Sequence, residues 1–182
     1  MKATGTIEGK TYANEFFGVE YALPEGFGFY SADQLAEMNA AIGNTNKDQA
    51  VVEAYKGGTA FFDMAAVAED DPNVSVVMQI AGPDPEAAAM DEAGYIEAAE
   101  DKIIGQLKDA GMTVKGAEAG AYTNQETGDK FTAIKLALES QGAPLYEEVI
   151  CIKAGEYFMN VTATAADEAG LNSVLSHLTR IK

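Results

Sequence analysis

The sequence has no tryptophan, one histidine and one cysteine in 182 residues, and 12 basic side chains against 29 acidic ones. Each shortage excludes something. A lone cysteine, Cys151, forms no disulfide within the chain and supplies no thiolate set for zinc. A single histidine, His177, removes the commonest source of general bases and metal ligands. The shortage of Lys and Arg leaves a formal net charge of −17. That argues against nucleic acid as a partner, because such binding rests on cations neutralising phosphates. An anionic membrane surface is disfavoured for the same reason. No apolar run approaches the roughly 18 residues needed to cross a bilayer. The opening MKATGTIEGK lacks the apolar segment of a signal peptide. The missing tryptophan also weakens a sugar-stacking role.

What is present is a chain with an ordinary apolar share, long enough to bury roughly two-thirds of its unfolded surface without a metal or disulfide. The acidic residues are spread along it, so they favour solubility rather than forming a tail. No repeat, linker or shift of composition marks a boundary, and the expectation is a single domain over 1–182.

Alternation and turn residues organise the chain. TGTIEGKTYANE reads as a short strand, a turn at Gly9 and a second extended piece. In FGVEYAL, Val19, Tyr21 and Leu23 share a face with Glu20 opposite, which is the period of a half-buried strand. Pro24-Glu25-Gly26 closes it as a turn. Ser31 with Gln34 three residues on is a capping-box pattern, followed by Leu35, Met38 and Ile42 at helical spacing up to Gly43. NKDQAVVEAYKGG reads as a second short helix. AFFDMAAVA and NVSVVMQIAG flank EDDP as a hairpin, with Val74, Val76, Met78 and Ile80 on one face. The longest helix, at about 92–110, carries the stripe Ile96, Ala99, Ile103, Leu107 and Ala110, and Gly111 suits its C-terminal cap.

MTVKGAEAGAYTNQE is extended and broken by glycines. KFTAIKLALE, LYEEVICIK and YFMNVTATA form a meander. A final helix starts at about Asp167, with Leu171, Val174, Leu175 and Leu178 along one side. Sequential hairpins cannot be parallel. The expected fold is therefore α+β, with strands at 18–23, 59–68, 74–81, 130–139, 145–153 and 156–164 in one predominantly antiparallel sheet flanked by helices.

The aromatic stretch from 16 to 30 contains Phe16, Phe17, Tyr21, Phe27, Phe29 and Tyr30. Tyr21 alternates as a strand requires, and Phe27 and Phe29 flank the strand-to-helix turn. The reading is core packing, with the faces of Phe16, Phe17 and Tyr30 not determined by pattern.

Candidate chemistry is sparse. Cys151 in VICIK reads as a buried small hydrophobe, with Lys153 on the same face two residues on. His177 reads as a surface or boundary residue of the closing helix. Ser173 and Ser176 beside it lack the strained turn of a G-x-S-x-G nucleophile. Asn44, Asn46 and Asp48 alternate as a calcium loop begins, but Gln49 stands where glycine is needed and Tyr55 where glutamate is needed. A helix N-terminus is the better reading. Glu69-Asp70-Asp71 is solvated charge at a hairpin tip, where a weak cation site is the alternative. Glu147 and Glu148 point to opposite faces of a strand and so form no catalytic pair. Gly57-Gly58 matches no phosphate loop.

The strand, the Pro-x-Gly-aromatic turn and the helix opening SADQL resemble the start of PsbP-like domains. FFDMAAVAEDDPNVSVVMQI resembles their central hairpin, and CIKAGEYFMNVTATAADEAGLNSVLSHLTRIK their closing hairpin and last helix. The likeness runs over almost the whole chain and is most similar to uncharacterised lipoprotein ectodomains of Gram-positive gut bacteria. It implies a PsbP-like α/β/α sandwich in an extracytoplasmic, monomeric domain. The domain would be secreted or held at the cell surface by a lipid anchor lying upstream of residue 1. No histidine or carboxylate here matches the metal and partner sites of the plant photosystem members, so no catalytic, metal or cofactor residue is implied. Two functions are in view. One is a non-catalytic domain binding an unknown small molecule or protein. The other is a carboxylate-dependent hydrolase such as a glycosidase, which needs two acids converging in one cleft.

Overall fold

A computed structural model describes residues 3–46 and 48–182, without the side chains of Thr45, Glu86 and Ala87; Met1, Lys2 and Lys47 lie outside the described residues. The strands form two sheets, antiparallel throughout. The smaller holds β1 (Thr6–Glu8), β2 (Thr11–Asn14), β3 (Val19–Ala22) and β11 (Leu178–Arg180), in the order β1-β2-β3-β11. The larger has the order β4-β5-β6-β10-β9-β8-β7. Its strands are β4 (Phe27–Phe29), β5 (Ala60–Ala68), β6 (Ser75–Ala81), β7 (Thr113–Thr123), β8 (Lys130–Ser140), β9 (Ala143–Ala154) and β10 (Tyr157–Ala165). The hairpin and the three-strand meander appear as the alternation requires. The β8–β9 turn is closed by Gln141 and Gly142, both at positive φ (52° and 85°), the backbone that a two-residue hairpin loop requires.

The helices also follow local chemistry. Ser31 and Gln34 make a reciprocal capping box at the start of α1 (Ala32–Thr45). Asp48 caps α2 (Gln49–Gly57) by accepting from the Ala50 N–H. After a single turn, α3 (Pro85–Ala88), Asp91 caps α4 (Glu92–Asp109). Beyond α4, Gly111 adopts φ 85°, which any Cβ would disfavour. Asp167 caps α5 (Glu168–Leu175). Among the described residues no helix is long and apolar enough to cross a membrane.

The α+β antiparallel fold stands, but three local expectations are corrected. The strand at 18–23 does not join the large sheet. Tyr21 lies opposite Tyr12 on one side and Leu178 on the other, so β3 is the inner strand of the small sheet. The closing helix does not run through His177 and Leu178. It ends at Leu175, His177 sits in the turn that follows, and Leu178 opens β11. An apolar residue in phase with a helical stripe serves equally as a strand residue, and pairing with β3 decides. Residues 113–123 are one long edge strand, registered on β8 with an irregularity between Val114 and Gly116.

One face of the large sheet packs against the small sheet and α5. Met64, Met78, Ile80, Ile150, Ile152, Met159 and Val161 there meet Tyr12, Val19, Tyr21, Leu171, Val174 and Leu175 in one core. Asp63, at the β5 irregularity, ties the two sheets. Its Oδ2 accepts from the Tyr12 hydroxyl (2.5 Å) and the Gly5 N–H (2.7 Å). Burial and that carboxylate push the Tyr12 hydroxyl well above the usual phenol range. On the opposite face, Ile96 and Leu107 of α4 cover Ile134, Leu136, Leu138, Val149, Cys151 and Phe158 in a second, smaller core.

Candidate functional site

The aromatic stretch belongs mainly to the first core. Tyr21 is fully buried and donates to the Val174 carbonyl. Phe17 is buried, and Phe16 meets it and Tyr157 edge to face. Phe27 and Phe29 are half-buried against the same core. Cys151 is fully buried, and burial, then Glu92, push its thiol up to about 12. Lys153 shares its face, as alternation predicts. It lies over the Phe158 ring and donates to the carbonyls of Ala88 and Met90. The Asn46 and Asp48 side chains are spent on the turn into α2, although Lys47 between them lies outside the described residues. Asp71 accepts from Asn73 within its own hairpin tip. Among the described residues, no three His, Cys, Asp or Glu side chains gather as a metal site. Ser176 donates to the Ser173 carbonyl, and the His177 ring lies 6.2 Å from Tyr21.

A mainly apolar space lies elsewhere, on the α4 face. Helix α1 is pinned over β5, where Asn39 both donates to and accepts from the Phe62 backbone. Tyr55 of α2 packs on the Phe62 ring at 5.6 Å. Helix α4 is pinned over β8 and β9 by Glu92, which accepts from the Lys153 N–H (2.9 Å) and the Thr132 hydroxyl (3.2 Å). Tyr95 stacks on Phe158 with centroids 4.1 Å apart. The central strands β6 and β10 lie between these two covers, and their outward residues floor a groove.

That groove has a chamber of about 410 Å³ and an adjoining recess of about 210 Å³, which share Gln79, Ile103, Gln106 and Asn160. Its walls are apolar, with Val51 and Ala54 on α2 facing Ile96, Ala99 and Ile103 on α4. Its floor is polar. Gln79 and Asn160 are direct cross-strand partners. The Gln79 amide donates to the Tyr55 hydroxyl (2.9 Å) and the Asn160 amide to the Tyr95 hydroxyl (3.3 Å). Asn160 Oδ1 is buried without a partner among the described residues. The two fully buried asparagines of the molecule behave otherwise. Asn14 and Asn124 each accept from two backbone N–H groups through the oxygen and donate to carbonyls through the amide.

Glu147 lines the recess beside Leu107 and Val149. It has no hydrogen-bond or ion-pair partner among the described residues, and burial pushes its carboxyl up to about 7. Glu148 points to the opposite face, as alternation predicts. It sits in an open polar depression of about 290 Å³ with Lys135, Tyr122 and Asn172. Burial raises its carboxyl too, and Lys135 partly offsets that. The other acid of the groove, Asp84, is at the far end. Its N–H donates to the Glu156 carbonyl, whereas Glu147 pairs with Thr164, eight residues along the chain. At about 3.3 Å per residue the backbone positions that carry the two carboxylates lie roughly 26 Å apart along the sheet. A glycosidase pair needs about 5–9.5 Å. At the mouth, Lys102 of α4 bridges to Asp48 at 3.1 Å, an exposed pair that adds little stability.

No residue of this floor stands out from sequence alone. The signal is Asn160, Thr162 and Thr164 alternating with Met159, Val161 and Ala163, a polar face on a strand that becomes central.

No protein-family model matches the chain, and no curated protein matches it in sequence. Among solved structures, the solution structure of cyanobacterial PsbP (CyanoP) from Synechocystis sp. PCC 6803 is similar, with a TM-score of 0.54 and 9% identity. The match covers 99% of this chain and 94% of that one. The likeness establishes a PsbP-like fold and carries no site residue with it.

Proposed function

We propose that residues 1–182 form one non-catalytic binding domain whose ligand, a small molecule, lies in the groove between the α1–α2 pair and α4. One observation carries the reading: the buried Asn160 Oδ1 lacks a partner on the floor of that groove. A buried acceptor left unpaired costs about 1–3 kcal/mol. It makes physical sense where a bound molecule supplies the donor. Apolar walls with a few convergent polar groups are the usual make-up of ligand sites of about 300–1,000 Å³. The separation of Glu147 from Asp84 favours binding over hydrolysis. We further propose an extracytoplasmic setting, with the domain exported and tethered as a lipoprotein ectodomain. Support comes from the likeness of its turn, hairpin and closing segments to such ectodomains, and from a surface charge suited to solubility.

The test is an NMR titration of the whole 15N-labelled chain with a mixed set of small cationic, anionic and neutral molecules. Shift changes confined to residues around Gln79, Ile103, Gln106 and Asn160 are expected. Changes confined to another surface overturn the reading, and turnover of a chromogenic glycoside replaces it with the hydrolase.

A further inference from the structure

We infer that the groove takes an aliphatic diamine or polyamine, with one ammonium group on Glu147 and another N–H donor on Asn160 Oδ1; this rests on the groove being the binding site. Two acceptors of the floor, Asn160 Oδ1 and the Glu147 carboxyl, lack a partner among the described residues. The floor's amides each make one bond, from Gln79 to the Tyr55 hydroxyl and from Asn160 to the Tyr95 hydroxyl. Lys102, the one cation of the lining among the described residues, is held at the mouth by Asp48. A ligand that satisfies these two acceptors brings N–H donors, and a positive charge for the carboxylate.

The body between those donors is set by the walls. The recess joining Asn160 to Glu147 runs past Ile103, Leu107 and Val149, which suit methylenes. Glu147 pairs with Thr164, four residues beyond Asn160, which sets the backbone positions of the two groups about 13 Å apart along the sheet. A polymethylene chain with terminal amines spans such a distance. A compact ammonium ion or a bare metal cation does not. The net charge of −17 draws cations of any kind to the surface, so the proposal is decided by specificity within the groove and not by attraction alone. The carboxyl held up to about 7 by burial fits an acid waiting for a cation, since a paired ammonium would restore its charge.

Calorimetry and NMR on the whole chain, at a salt concentration that suppresses surface attraction, test this with spermidine as probe. Octanediol is the neutral isostere, and magnesium is the bare cation. Spermidine is expected to shift Asn160, Gln106 and Glu147 resonances. Glu147→Gln should weaken it tenfold or more, while Asp70→Asn at the exposed hairpin tip changes nothing. A thermal melt of Glu147→Gln confirms that the variant folds. If octanediol or magnesium binds the groove as well as spermidine does, the amine inference is wrong and the groove remains the site. If spermidine shifts scatter over the surface and ignore Glu147→Gln, the inference also fails. If no probe perturbs the groove, the underlying site assignment fails with it.

Discussion

The two faces of the large sheet are built from the same strands and end up with opposite characters. Toward the small sheet and α5, alternate residues of β5, β6, β9 and β10 interlock with tyrosines and leucines, and polar groups such as Asn14 and Asp63 are fully engaged. Toward α4 and the α1–α2 pair, the helices cover the flanking strands and Phe158 of β10 but leave Gln79 and Asn160 on the floor of a groove, where Asn160 Oδ1 and the Glu147 carboxyl have no partner among the described residues. Glu147 and Glu148 show the contrast at one step of chain. One faces apolar walls without a cation, the other faces Lys135. The lesson is that a closely packed face maintains the fold, while an incompletely covered polar face is available for binding.

That contrast breaks most easily on the closed face. Tyr21→Ala removes a fully buried ring and its bond to the Val174 carbonyl. It should cost about 3–5 kcal/mol in denaturant unfolding. A near-wild-type midpoint would mean that this face is not the main core. Phe27→Ala, only half-buried, should cost clearly less in the same assay.

Glu147 sharpens the comparison through pH. Its carboxyl stands at about 7 when folded against an ordinary 4.5. Between those values the native state holds a proton that the unfolded chain has released. Its contribution to stability therefore falls as pH rises from about 4.5 to 7 and is flat outside that window. The full shift corresponds to about 3 kcal/mol, and the partial exposure of Glu147 lowers it, so Glu147→Gln should gain up to about 3 kcal/mol over wild type at pH 8 and nothing at pH 4. Melts of both proteins across that range check it, and an equal gain at both ends would remove this half-buried acid from the explanation.

Asn160→Leu tests the open face directly. Losing the unpaired oxygen also loses the bond to Tyr95, so the net change should lie within about 1 kcal/mol of zero. A loss as large as that of Tyr21→Ala would make Asn160 a structural residue like Asn14. The smallest effect belongs to Cys151. Replacement by Val should cost about 1 kcal/mol or less. The native thiol, buried and pushed up to about 12, should label slowly without denaturant.

Much of this was legible in the sequence where the determining forces are local. The capping box at Ser31, the Asp48 cap, the hairpin across Glu69-Asp70-Asp71, the meander and the opposite facing of Glu147 and Glu148 all follow from spacing of a few residues. The separate small sheet was not legible, because β3 finds β11 more than 150 residues away and nothing nearby marks that choice. The run at 113–123 reads as extended but broken because of Gly116 and Gly120. Its strand character comes from backbone pairing with β8, which carries no side-chain signature.

By itself, then, the sequence determined an acidic α+β chain with antiparallel hairpins and a buried Cys151, since composition, period and caps act over short distances. Only the tertiary structure decided that β6 pairs with β10, setting Gln79 beside Asn160, and that the helices stop short of covering them. Non-local pairing and helix placement depend on how all the apolar faces are buried at once, and no single stretch of chain encodes that.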